Sequence, residues 1–160
     1  MRSAYNAPLA LLLGTLACAS APATGTTASA TGGSATASPA VTAAVGAVLA
    51  HGADAWNRGD LDAFIADYAP DPNTTYVGRS GLVRGRAAIR AVYAPRFAPG
   101  VQRGTLRFEG LEVDELAPDA AFAVATYVLT VGDSTIARGP TSLLFRKRDG
   151  RWYMTRDHSS

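Results

Sequence analysis

Leu106-Arg107-Phe108-Glu109-Gly110-Leu111-Glu112-Val113 is the stretch on which the fold turns. Leu106 and Phe108 share one parity, and Leu111 and Val113 share the other. Alternate residues of a strand face opposite sides of its sheet. One apolar face survives such a slip only if an extra residue is inserted between the two pairs. Gly110 stands at that point and reads as a β-bulge, which bends a strand. The chain beyond extends the pattern. Ala121 to Val131 reads as a long strand behind the Pro118-Asp119 turn, and Gly132-Asp133 turns it into Thr135 to Arg148. Asp149-Gly150 is a type I′ hairpin signal, and Trp152 to His158 makes the last strand. A bent antiparallel meander of four long strands is expected, with a concave face to be filled.

Helical spacing precedes it. Val41, Val45, Val48, Leu49 and Trp56 mark a first helix, closed by Asn57-Arg58-Gly59 with the glycine as a left-handed cap. Asp60 caps a second helix running through Leu61, Phe64, Ile65 and Tyr68 and stopping before Pro70 and Pro72. Thr74 to Val77 and Leu82-Val83 form a small hairpin around a turn at 78–81. Gly85 precedes a third helix from Arg86 to about Tyr93, with Ile89, Val92 and Tyr93 on one face. Helices followed by strands argue an α+β class, with the long first helix filling the concave face.

The N-terminal part reads as an export segment. Arg2 is the only charged residue before Asp54, and Leu9 to Ala17 is an apolar run too short to span a bilayer. Residues 1–18 are expected to be a signal peptide. Thr15-Leu16-Ala17-Cys18 resembles a lipobox, with Cys18 as the lipidated residue, whereas Ala17-Cys18-Ala19 and Ala19-Ser20-Ala21 also read as signal peptidase sites. The cell envelope or periplasm, or secretion, is the expected location. Residues 19–40 are almost wholly Ala, Ser, Thr, Gly and Pro and are expected to be a disordered linker. The domain is then 41–160. Its formal net charge, +2 for the whole chain, lacks the footprint of a nucleic-acid binder. The single cysteine excludes an intrachain disulfide or a CxxC pair.

Trp56-Asn57-Arg58-Gly59-Asp60-Leu61-Asp62-Ala63-Phe64, Gly85-Arg86-Ala87-Ala88-Ile89-Arg90, Asp149-Gly150-Arg151-Trp152 and Asp157-His158-Ser159-Ser160, in that order, resemble bacterial members of the nuclear transport factor 2-like superfamily. That superfamily includes SnoaL-like polyketide cyclases and ketosteroid isomerases. The resemblance covers about residues 41–160. It implies a cone-shaped, cystatin-like fold, with three N-terminal helices packed in a strongly curved antiparallel sheet around an apolar pocket. It further implies a homodimer through the outer sheet face. It does not imply one chemistry.

Asp157 and His158 are the candidate catalytic pair, as base and acid, although neighbours on a strand point to opposite faces and only one can face a cavity. Trp152, Met154, Arg156 and His158 share one parity, and Tyr153, Thr155 and Asp157 the other. Tyr68, Tyr76 and Tyr127 are candidate pocket residues whose hydroxyls would polarise a carbonyl, or else ordinary amphipathic core residues. Trp56 reads as core or cavity wall. Asp54, Asp62 and Asp67 read as solvated helix faces, and His51 as exposed. With His51 and His158 the only imidazoles, no metal site is expected, and no cofactor either. The expected function is binding of a small apolar or amphipathic molecule. A cofactor-independent isomerase, cyclase or hydrolase and an assembly domain acting through the outer sheet face are the alternatives.

Overall fold

The computed structural model describes residues 37–160. The expected signal peptide, with Cys18, and the expected linker up to residue 36 lie outside the described residues. Helix α1 spans Pro39–Arg58, two residues ahead of the expected start at Val41. Three features move the boundary. Ser38 is the N-cap and accepts from the Val41 amide, proline occupies the first turn, and Ala37 is buried with its amide on the Val113 carbonyl. Residues 37–40, expected to belong to the linker, thus include a buried alanine, the N-cap and the first residues of α1. Gly59, at φ 78°, closes the helix in the left-handed conformation, its amide bonding Ala55 and Trp56 carbonyls.

Asp60 caps α2, Leu61–Ile65, through Oδ1 to the Ala63 amide at 2.9 Å. The helix ends before Tyr68, which instead forms an isolated parallel bridge with Met154. Strands β1, Thr75–Gly78, and β2, Gly81–Arg84, form the small hairpin. Helix α3, Arg86–Tyr93, leads into a single 3₁₀ turn, Ala94–Phe97. Then come β3, Thr105–Ala117; β4, Ala120–Val131; β5, Ser134–Arg148; and β6, Arg151–Ser159.

All six strands make one sheet in the order β2-β1-β6-β5-β4-β3. The four long strands are antiparallel as expected, but β1 joins β6 in parallel, so the sheet is mixed. Four irregularities interrupt its register, one of them at Leu116 near the end of β3. At the expected position, Gly110 and Leu111 oppose the single residue between Val124 and Thr126, with Gly110 at φ 62°. Ile136 is the extra residue of β5 opposite Leu129 and Thr130. Thr155 is the extra residue of β6, because Met154 pairs with Phe145 and Arg156 with Leu144. The hairpin at Asp149-Gly150 has positive φ at both residues, 50° and 80°, as a type I′ turn requires.

Helix α1 lies against β3 and buries Val45, Leu49, Ala53 and Trp56. Its stripe meets Leu106, Val113, Ala123, Leu143 and Phe145 from the sheet in one apolar core. Among the described residues no helix is long and apolar enough to cross a membrane.

Candidate functional site

Between the helices and the concave sheet face lies a cavity of about 490 Å³, within the ordinary range for small-molecule sites. Its walls are apolar and aromatic, including Leu49, Trp56, Phe64, Leu129, Leu143 and Met154. Trp56 is fixed in the wall by its indole N–H, which donates to the Gly104 carbonyl at 3.0 Å. Its ring meets Phe64 and Phe97 edge-on, with centroids 5.5 and 5.2 Å away. Such pairs contribute about 0.5–1.5 kcal/mol each beyond their buried area.

Among the described residues, Asp157 is the one Asp or Glu side chain that lines this cavity. The Thr155 bulge puts it there. Strict alternation would place Asp157 opposite Trp152 and Met154, but the extra residue turns the last part of β6 over, so Asp157 follows Met154 inward while Arg156 and His158 point out. The parity argument of the sequence is corrected accordingly. Asp157 and His158 are neighbours in the chain, and the cavity receives only the first.

Asp157 is flanked in register by Tyr76 on β1 and Leu143 on β5. Tyr68 reaches it from the segment after α2. Backbone bonds from Met154 N–H to the Asp67 carbonyl and from Ala69 N–H to the Met154 carbonyl, both 2.8 Å, hold that segment beside β6. The Tyr68 hydroxyl donates to Asp157 Oδ2 at 2.5 Å, and the Ser159 hydroxyl donates to Oδ1 at 2.7 Å. Ser159 in turn shares a hydrogen bond with Thr141 at 2.9 Å. The Tyr93 hydroxyl lies 3.5 Å from that of Tyr68, and the Tyr76 ring is 5.3 Å from that of Tyr93. Gly78 makes room for this cluster, since a Cβ there would collide with the Tyr76 hydroxyl.

Burial raises the Asp157 carboxyl above its ordinary value of 3.8, against the pull of the hydroxyls of Tyr68, Ser159 and Thr141 and the weaker attraction of His158. Burial, reinforced by the charge of Asp157, pushes Tyr68 and Tyr93 well above 10.0. Tyr76 is raised chiefly by burial. The three phenols therefore stay neutral hydrogen-bond donors at neutral pH, around an acid that loses its proton reluctantly.

Tyr127 also lines the cavity, but its hydroxyl donates to the Ser160 carbonyl at 3.1 Å rather than to Asp157. Tyr93, Ser159 and Thr141 belong to the site although the sequence did not single them out. Tyr93 carried a signal, since it shares the buried face of α3 with Ile89. Ser159 and Thr141 become partners only through the pairing of β5 with β6.

A second buried carboxylate corrects another reading. Asp67 is not on a solvated helix face. Its side chain is 3% exposed, with Oδ2 2.7 Å from His51 Nδ1 and Oδ1 3.2 Å from Arg151 Nη2. Burial raises it too, opposed by His51 and Arg151. Asp54, Asp60 and Asp62 are exposed, and Asp62 pairs with Arg90 at 2.6 Å. Among the described residues, no group of three or more His, Cys, Asp and Glu side chains is gathered to hold a metal ion.

Residues 45–160 match the SnoaL-like domain family. A nuclear transport factor 2-like protein of unknown function from Shewanella oneidensis is 30% identical, with a TM-score of 0.68 over 75% of this chain and 98% of that one. A putative calcium/calmodulin-dependent protein kinase type II association domain from Thiobacillus denitrificans is 22% identical, with a TM-score of 0.63 over 72% and 92%. A putative scytalone dehydratase from Novosphingobium aromaticivorans is 12% identical, with a TM-score of 0.64 over 75% and 83%. These last two share the fold. No curated protein matches the chain.

Proposed function

We propose that this chain, which belongs to the SnoaL-like domain family, binds a small, mostly apolar molecule in its cone and moves a proton on it through Asp157. The observation that carries the reading is the setting of Asp157. It is a buried carboxyl among aromatic and aliphatic walls, bonded to hydroxyls, with no cation in contact among the described residues. An ion pair there would be a structural device. A carboxyl raised by burial and held by neutral donors is instead suited to give and take a proton. Tyr68 donates to Asp157, and the neutral phenols of Tyr93 and Tyr76 supply donors for an oxygen that gains charge as the proton moves.

The reaction class is cofactor-independent isomerisation, cyclisation or hydrolysis. An open recess favours this over a role in assembly alone, which a filled cone would serve as well. The N-terminal reading adds that the domain works outside the cytoplasm, anchored through Cys18 or released. Cys18→Ala abolishing incorporation of labelled fatty acid supports the anchor, and an unlabelled wild type removes it.

The test of function is native mass spectrometry of the protein from its own host, followed by incubation of the retained molecule in heavy water. Deuterium uptake with wild type and none with Asp157→Asn is the expected result. A retained molecule that never exchanges leaves binding alone and contradicts the proton transfer. Finding no retained molecule, with no thermal shift from a panel of apolar ketones and alcohols, contradicts both.

A further inference from the structure

Arg79, Arg96 and Arg138 line the same cavity as Asp157, and all three are exposed. They come from three elements. Arg79 is at the tip of the β1–β2 hairpin beside Ser80, Arg96 is on the 3₁₀ turn after α3, and Arg138 is on β5. Arg138 is engaged by Glu109 at 3.2 Å. Among the described residues Arg79 and Arg96 have no carboxylate partner, and no Asp or Glu occurs in residues 1–36 to supply one. The cavity lining thus combines a buried carboxylate among hydroxyls with two exposed guanidiniums that have no carboxylate partner among the described residues.

We propose that the occupant is an amphipathic organic anion, with its charged group held between Arg79 and Arg96 at the mouth, its apolar body along the walls and an uncharged hydroxyl or carbonyl at Asp157. This rests on the reading of the cone as a small-molecule site. Orientation follows from charge. An anion placed at the buried end meets the Asp157 carboxylate in a medium that screens poorly, whereas at the mouth it meets guanidiniums shaped for bidentate binding of carboxylate, sulfonate or phosphate. A neutral oxygen fits the inner end, because it can accept from a phenol or from protonated Asp157, or donate to the carboxylate.

The experiment compares two fluorescent probes of similar apolar body, anionic anilinonaphthalene sulfonate and neutral phenylnaphthylamine. The expected result is binding of both, with the anion about tenfold tighter. Its advantage should shrink when ionic strength rises from about 0.05 to about 0.5 M, because the mouth is open to counterions. The double variant Arg79→Gln/Arg96→Gln should lose most of the anion's advantage and keep the affinity for the neutral probe. Arg86→Gln, outside the cavity lining, should change neither. Both side chains at the mouth are exposed, so the double variant should keep the wild-type melting temperature. Equal affinities in the wild type, or an advantage that survives in the double variant, overturn the proposal while leaving the cone as a binding site. Binding of neither probe overturns the proposal and the reading beneath it together.

Discussion

Two aspartates are buried in this domain, and their surroundings differ in kind. Asp67, in the seam between α1 and β6, faces His51 and Arg151, both on the rim and half exposed. Asp157, in the cavity, faces the hydroxyls of Tyr68 and Ser159. Burial raises both carboxyls. Asp67 is opposed by positive charge and fastens one element to another. Asp157 is opposed mainly by neutral donors and lines the cavity. Burial alone therefore does not mark a functional acid; the identity of its partners does.

The contrast can be broken most sharply at Asp67. Asp67→Ala should cost about 1–3 kcal/mol in urea unfolding at neutral pH, because it frees two donors and opens a polar gap in the seam. The half-exposed partners can turn to water, which keeps the loss below that of a fully buried pair. A near-zero cost would remove the structural role assigned to this residue. Tyr68→Phe should cost about 1 kcal/mol and push the Asp157 carboxyl further up, since the phenol is its first stabilising partner. An unmoved carboxyl resonance would show that the bond is not formed in solution.

Asp157→Asn should have the smallest effect at neutral pH, between no change and a gain of about 1 kcal/mol, because the amide keeps a partner for each hydroxyl and removes a reluctant charge. The sign follows from linkage. A carboxyl whose folded value lies above its unfolded one binds more protons in the native state, so its stabilising contribution is complete below pH 3.8 and is lost as pH rises through the folded value. Wild-type stability should therefore fall across that window and the variant should fall less. Asp67 contributes in the same direction, so part of the slope remains.

Much of the fold was legible because local chemistry and tertiary packing agree. Gly110, Asp149-Gly150, Asp60 and Gly59 each act in the structure as their residue types dictate. The site was less legible because it is assembled by pairing. The bulge at Thr155 has no glycine to announce it, yet it alone decides that Asp157 faces inward. Asp67 looked like one more acid on a polar helix face, and its burial depends on a segment docking along β6 some 85 residues later. The parallel junction of β1 with β6, which brings Tyr76 beside Asp157, likewise has no signature in either strand.

The most direct test of the central claim is a carboxyl carbon-13 titration of the domain, with Asp157 assigned by its loss in Asp157→Asn, run with and without anilinonaphthalene sulfonate. A midpoint above 3.8 that shifts when the probe occupies the cone is the result expected of a buried acid lining a ligand site. A midpoint at the ordinary carboxylate value, unmoved by bound probe, would contradict it.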